Sequence, residues 1–293
     1  MQIKQKNLAI VLALFATYFI WGSTYLAIKF GVESFPPFMM GAIRFTIAGV
    51  ILYGVMRYLG APNPSRKEWL GAGIVGILLP AFGNGTVCYV QQTVSSSVAA
   101  LSIATAPIWM AIFSSFWGHK ITKKEWMGIA VGFVGIVLLN VGGSLHGDWL
   151  SAGLLIFAAA TWSFGSIWGR YLAMPSGLMA PAAQMIVGGV ALSLMSASQG
   201  ESWPVNISAK SWGAILFLIV LGSIVAYSAY QYLLNKVRPL VASSNTFVNP
   251  MVAFALGIWL ANEHITMVEL IALAVILVGV YLVLSADDQV VKS

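Results

Sequence analysis

The chain contains itself twice, and no other feature narrows its fold as much. The stretch SSSVAALSIATAPIWMAIFSSFWGHKITKKEW, residues 95–126, returns as LVASSNTFVNPMVAFALGIWLANEHITMVEL, residues 240–270. At an offset of 143 residues Pro107 falls on Pro250, Val98-Ala99 on Val241-Ala242 and Ser102 on Asn245. Upstream, the same offset lays Gly22-Ser23 on Gly165-Ser166 and Trp69 on Trp212. Beyond the proline the offset grows to 144, so that Ile121-Thr122 meets Ile265-Thr266 and Gly135 meets Gly279. Self-similarity at this period makes each copy half of the 293 residues, and the architecture has to be one unit built twice.

Composition says where that unit sits. Hydrophobic residues make up 59% of the chain and charged residues only 8%, against roughly 25% charged in a soluble domain. So few charges cannot cover a water-facing surface, and the reading is a polytopic membrane protein. The net charge of +6 belongs to short loops between apolar runs and reads as a topology signal, not as a nucleic-acid surface. A single cysteine, Cys88, excludes an internal disulfide framework and a multi-thiolate metal site. The start MQIKQKNLAIVLALF has a basic-then-apolar pattern but no small-residue cleavage site, and it runs on into the repeated Gly22-Ser23; it reads as an uncleaved first helix.

A span needs about 20 apolar residues. Ten are expected, at 8–29, 37–57, 69–90, 96–117, 125–141, 150–171, 178–198, 211–234, 240–260 and 267–285. With the N-terminus inside, twelve basic residues fall on the inner side: Lys4, Lys6, Arg57, Arg66, Lys67, Lys120, Lys123, Lys124, Arg170, Lys236, Arg238 and Lys292. Only Lys29 and Lys210 fall outside. That bias predicts both termini in the cytoplasm. Five helices per copy is an odd number, so the second copy inserts upside down, a recurrent plan of secondary transporters with the substrate site near the midplane. Pro107 and Pro250 each lie about ten residues into their helices from opposite faces, about 15 Å deep. The expected fold class is therefore an all-α membrane protein of ten transmembrane helices, arranged as two inverted five-helix repeats, N-in and C-in. The halves are residues 1–148 and 149–293.

Polar residues inside spans turn to the protein interior, and they nominate a site. In the third helix Asn84, Cys88 and Gln91 share one face; in the eighth, Ser223, Tyr227 and Gln231 do. The repeat lays Tyr227 on Asn84 and Gln231 on Cys88, so the two stripes face one another either across a cavity or as interhelical hydrogen bonds. Before Pro107 stand Ser102 and Thr105; before Pro250 stand Asn245, Thr246 and Asn249. Each proline frees a helix carbonyl, at Ile103 and Thr246, to be met by a side chain, water or substrate. Pro107 and Pro250 are thus candidate hinges, with a packed kink as the alternative. Trp21 and Phe164 occupy equivalent mid-membrane positions. Trp21 is the stronger candidate for cavity lining, with an indole N–H that needs an acceptor. Trp109, Trp162, Trp168, Tyr18, Tyr25, Tyr89 and Tyr230 lie nearby, and Ser166 follows on the helix of Trp162. Arg44 is the one charge well inside a span; it reads as a structural charge, with Glu33 as the nearest acid. Gly128, Gly132 and Gly135 are small-residue packing positions, which makes the fifth and tenth helices a scaffold or a dimer face.

The absences narrow the chemistry. All nine acids lie in loops or at helix ends, and His119, His146 and His264 lie in loops. A membrane-buried carboxylate or histidine relay is not expected, nor are catalytic residues, a metal or a cofactor. One arginine is too few for phosphorylated sugars or nucleotides. What is left is an aromatic-lined site with neutral hydrogen-bonders, suited to zwitterions and amphipathic neutral solutes.

Several pieces together resemble the drug/metabolite transporter superfamily, EamA type. They are Trp21-Gly22-Ser23-Thr24, Pro37 with Arg44, the run from Ala99-Ala100-Leu101 to Pro107, and Glu125 with Gly128, Gly132 and Gly135. The run IWGSTYLAIKFGVESFPPFMMGAIRF, residues 20–45, looks closest to the YedA-like permeases of that superfamily. Arg44 departs from the repeat, which puts Val187 or Gly188 at its counterpart. The resemblance implies ten helices in two inverted repeats and a carrier of the bacterial inner membrane. Such a carrier exports amino acids, metabolites or drugs, works as a monomer or homodimer in the lipid bilayer, and has a small molecule as its substrate. The competing readings are a channel or structural partner protein and a lipid-directed membrane enzyme; the cytoplasmic loops between the spans offer no HxxxxD, HExxH or paired acids for the last.

Overall fold

Helices begin where the sequence supplies a cap. Ser65 and Glu68 form a reciprocal capping box, Ser95 accepts from the Val98 N–H, Asp148 from Ser151 and Ser208 from Ser211. Pro37 opens its helix at the position where a missing N–H is harmless. In the computed structural model, which describes residues 2–118, 120–142, 148–237, 242 and 244–290, the described residues form helices and no strand. The principal segments are α1 (Leu8–Val32), α2 (Pro37–Tyr58), α3 (Arg66–Val90), α4 (Ser96–Trp117), α5 (Lys123–Gly142), α6 (Trp149–Tyr171), α7 (Met179–Ser198), α8 (Ala209–Lys236), α9 (Asn245–Ala261) and α10 (Met267–Val290).

Seven of these, α1 to α4 and α6 to α8, are long and apolar enough to cross a membrane, and α9 and α10 carry shorter apolar stretches, Val248–Ala261 and Met267–Val283. Residues 240, 241 and 243, expected in the ninth helix, lie outside the described residues, as do His119, His146, Arg238 and Lys292.

Repeat-equivalent ends are built alike. Thr122 Oγ1 accepts from the Glu125 N–H while Glu125 Oε2 accepts from the Thr122 N–H at 2.6 Å; Thr266 and Glu269 do the same at 2.7 Å. Both carboxylates are buried, Glu125 at 3% exposure and Glu269 at 1%, and such a cap is worth about 1 kcal/mol. Gly118 (φ 94°) closes α4 and Asn262 (φ 51°) closes α9. Only glycine and, less readily, asparagine take this left-handed conformation without a large penalty.

The two proline helices differ. α4 is interrupted at Ala104–Thr105 and resumes at Ala106, with Pro107 in the first turn of the second piece. In α9 Pro250 lies inside one continuous helix, Asn245–Ala261. The other departures from α geometry are π-helical stretches at Ala16–Ile20 of α1, Ile77–Asn84 of α3 and Leu218–Val225 of α8. Pro80, inside the second, cannot complete an α-type bond.

The packing pairs helices across the halves. α2 packs on α7 and α5 on α10. α1 packs on α8 and α9, and α6, its counterpart, on α3 and α4. Exchanging each helix for its repeat equivalent returns these pairings, whereas the contact of α1 with α4 has no comparable one between α6 and α9. Apolar side chains such as Leu8, Val50, Val134, Leu194 and Leu216 stay exposed on the outer faces, as lipid contact requires.

Candidate functional site

At mid-depth α1, α2, α3, α4, α6, α8 and α9 enclose a cavity of about 80 Å³. α1 brings Trp21, Thr24 and Tyr25; α2, Arg44 and Phe45; α3, Gly83 and Asn84; α4, Ala104 and Met110. α6 brings Trp162, α8 Tyr227 and Tyr230, and α9 Asn245, Thr246, Asn249 and Pro250.

The π-helical stretches set the wall. The wide turns present carbonyls to donors on other helices. Trp21 Nε1 donates to Gly222 O at 3.1 Å. The surroundings of the Asn249 amide orient its nitrogen to donate to Thr17 O and Tyr18 O, both at 2.9 Å, while its oxygen accepts from Asn245 Nδ2 at 3.0 Å. All three of these carbonyls, at Thr17, Tyr18 and Gly222, lie within the π-helical stretches. Arg44, 2% exposed, donates from Nε to Ser223 Oγ at 2.8 Å and from Nη1 to Asn84 Oδ1 at 3.1 Å. Its guanidinium carbon lies 4.6 Å from the Phe45 ring centre.

Aromatic rings make up another part of the wall. Trp162 meets Trp21 edge-on at 5.4 Å, and Trp21 lies 4.9 Å from Tyr230. Trp162 lies 6.1 Å from Tyr227 and 5.8 Å from Tyr230. The Tyr227 hydroxyl donates to Gln184 Oε1 at 2.8 Å, and the Tyr230 hydroxyl shares a bond of 3.0 Å with Ser166. Gln184 and Ser166 line a second cavity of about 430 Å³ between α6, α7 and α8, together with Ser228, Gln231, Arg170 and Lys236. Tyr227 and Tyr230 therefore stand between the two spaces.

The residues expected at the site divide accordingly. Trp21, Asn84, Trp162, Tyr227, Asn245, Asn249 and Pro250 line the central cavity. Ser166 and Gln231 face the second cavity instead. Cys88 is buried against Asn84 Oδ1 at 3.6 Å, and Gln91 donates to Tyr25 O at 3.0 Å; neither lines the central space. Ser102 and Thr105 turn back on their own helix, donating to Val98 O and Ser102 O. Pro107 is buried behind the wall, and Trp109 stacks on Phe113 and meets Phe133 edge-on. Phe164 packs against Phe113 and Trp117. Arg44, expected in a structural role beside Glu33, lines the cavity, and Glu33 pairs with Lys210 at 2.5 Å. Thr24 and Met110 are wall residues that the sequence reading missed. Thr24 and Tyr25 follow Trp21 by three and four residues and Tyr230 follows Tyr227 by three, so carrying each face forward one turn finds them.

Residues 8–141 match the model of the EamA-like transporter family, and residues 149–285 match it again. The chain belongs to this family. It is 42% identical to an uncharacterized inner membrane transporter, YedA, of Escherichia coli, over 92% of this chain and 89% of that one. It is 28% identical to a WAT1-related chloroplastic protein of Arabidopsis thaliana, over 92% and 68%. A transporter of Synechocystis is 29% identical over 97% and 93%. A crystal structure of 19% identity superposes with a TM-score of 0.68 over 94% of this chain and 96% of that one, so the two share a fold. The EamA chain is thus a multi-pass membrane transporter.

Proposed function

We propose that this EamA protein is a secondary carrier of the inner membrane that exports small organic solutes by alternating access through the central cavity. In this reading all ten helices cross the bilayer, the halves 1–148 and 149–293 are inverted repeats, and both termini are cytoplasmic. The observation that carries it is the meeting of repeat counterparts at one cavity: Asn84 and Tyr227, from opposite halves, both line it. Helix pairings that map onto one another when the halves are exchanged support the same reading, because such a pair can rock between two mirrored arrangements.

The two ends of the pathway differ, as one arrested state of such a cycle would. On the outer side, by the charge bias, Phe38 stacks on Tyr89 at 5.7 Å, and Lys29 donates to Gln91 O and Val94 O. The counterpart of Tyr89 is Tyr232, which lines the larger, 430 Å³ space at the end that the charge bias places inside. The reading is a carrier closed outward and accessible inward.

Trp21→Ala, Asn84→Ala and Tyr227→Ala are expected to cut transport at least about tenfold, the effect of losing about 1.4 kcal/mol, while folded protein in the membrane is maintained. Uptake of labelled organic solutes into inverted vesicles measures this. Full transport by all three variants would remove the cavity from the pathway.

A further inference from the structure

Among the described residues Arg44 pairs with no carboxylate. Seven carboxylates have described side chains, and each is engaged at a helix end or in a loop. Glu33 holds Lys210. Glu68, Glu125, Asp148 and Glu269 cap their own helices. Glu201 accepts from the N–H groups of Phe38 and Met39 at 3.1 and 2.7 Å, and Glu263 from those of Ser96 and Ser97 at 2.8 and 3.2 Å. None of them reaches the central cavity. The guanidinium stays protonated and offers five N–H groups; its hydrogen bonds go to two neutral oxygens, on Ser223 and Asn84. A cation so placed is held at a cost unless an anion completes it. The guanidinium nevertheless borders the central cavity, packed closely on Gly222, where a side-chain carbon would stand 3.2 Å from Nη2.

From this we infer that the transported solute is an organic acid, one carboxylate on an apolar and aromatic-compatible body. The carboxylate pairs with Arg44, and the body lies against Trp21, Trp162 and Tyr230. This rests on the carrier reading and deepens it, naming a monoanion where aromatic rings and amides alone would suit neutral solutes equally. With no acid on the wall, the cavity offers no matching charge to an ammonium group. Planar, two-pronged bonding of carboxylate is what guanidinium does better than ammonium.

The test uses full-length protein in detergent and three probes of nearly one shape: phenylacetate, phenylacetamide and phenethylamine. Phenylacetate is expected to raise the melting temperature of the wild type, and its Kd to be at least about tenfold below that of the amide. Arg44→Gln is expected to bind acid and amide alike. Because that variant removes a buried group and could fail to fold, Asn84→Asp is the second arm. It sets a carboxylate where an amide oxygen now lies 3.1 Å from Nη1, so the ligand-free protein should keep or gain stability while the phenylacetate response disappears. Equal responses to acid and amide in the wild type overturn the inference, as does no response to phenylacetate or a response retained in Asn84→Asp. Vesicle uptake separates the two claims. Amide uptake abolished by Trp21→Ala, with no acid uptake, keeps the carrier and rejects the charge; phenylacetate binding without Trp21-dependent uptake of any solute rejects the carrier and keeps the site.

Discussion

Pro107 and Pro250 are one residue by ancestry of the repeat and two by context. Pro107 opens the second piece of an interrupted helix; Pro250 sits within an uninterrupted one. The interruption at Ala104–Thr105 brings backbone of α4 to the cavity wall, and Ala104 lines it. Pro107→Ala restores the N–H that lets the helix run through, so turnover should fall several-fold while the order of preference among solutes is kept. Initial-rate uptake over a substrate panel measures both, and unchanged turnover would assign the break to packing alone. The residues legible in the sequence were those whose polar groups outreach their own helix. Trp21, Asn84, Tyr227, Asn245 and Asn249 have long or amide side chains and met partners or space across helices. Ser102 and Thr105 are too short for that and satisfied their hydroxyls on carbonyls three or four residues back. Arg44 bonds not with Glu33, the nearest acid in the sequence, but with Asn84 and Ser223, 40 and 179 residues away. Nothing local in the sequence encodes those separations.

Among elements, α5 and α10 pack through close glycine contacts. A carbon added at Gly279 would lie 2.6 Å from Gly132 N and 2.8 Å from Gly128 O, and one at Gly135 2.5 Å from Ile276. The small-residue pattern was plain in the sequence, though its partner was not: Gly128 and Gly135 are covered by α10 of the same chain. Gly279→Ala is expected to cost about 1–3 kcal/mol by overpacking. Gly54→Ala, where an added carbon meets nothing within 4 Å, is expected to be neutral or to stabilise by about 0.5–1 kcal/mol. Thermal unfolding of the two variants in one detergent decides it, and equal melting temperatures would contradict the close approach. Helix starts were equally legible, because Ser, Thr and Asp caps act within four residues. The π-helical stretches were not, since only Pro80 of the second gives a local reason for one.

Across the whole molecule, the end that the proposed orientation places outside is held by contacts between halves. Glu263, on the loop after α9, caps α4 through both N–H and hydroxyl groups of Ser96 and through Ser97. Glu201, after α7, caps α2. At the repeat counterpart of Glu263 stand His119 and Lys120, which carry no carboxylate. Glu263→Ala should loosen the outer closure. In a Cys88→Ala background, a cysteine at Tyr25 should then react faster with an impermeant maleimide applied from outside; an unchanged rate would show that other contacts hold that end. The three wide-turn stretches lie in helices around one space, α1, α3 and α8, and this has a mechanical consequence. A π turn holds one residue more than an α turn and can pass along a helix as each donor in sequence exchanges one carbonyl for its neighbour. Such a helix behaves as a screw with a spare thread. One end can turn about its axis by a residue, about 100°, while the other stays fixed and no turn unwinds. Asn84 and Ser223 ride on two of these threads, so their oxygens can be swung toward or away from Arg44 by rotation alone.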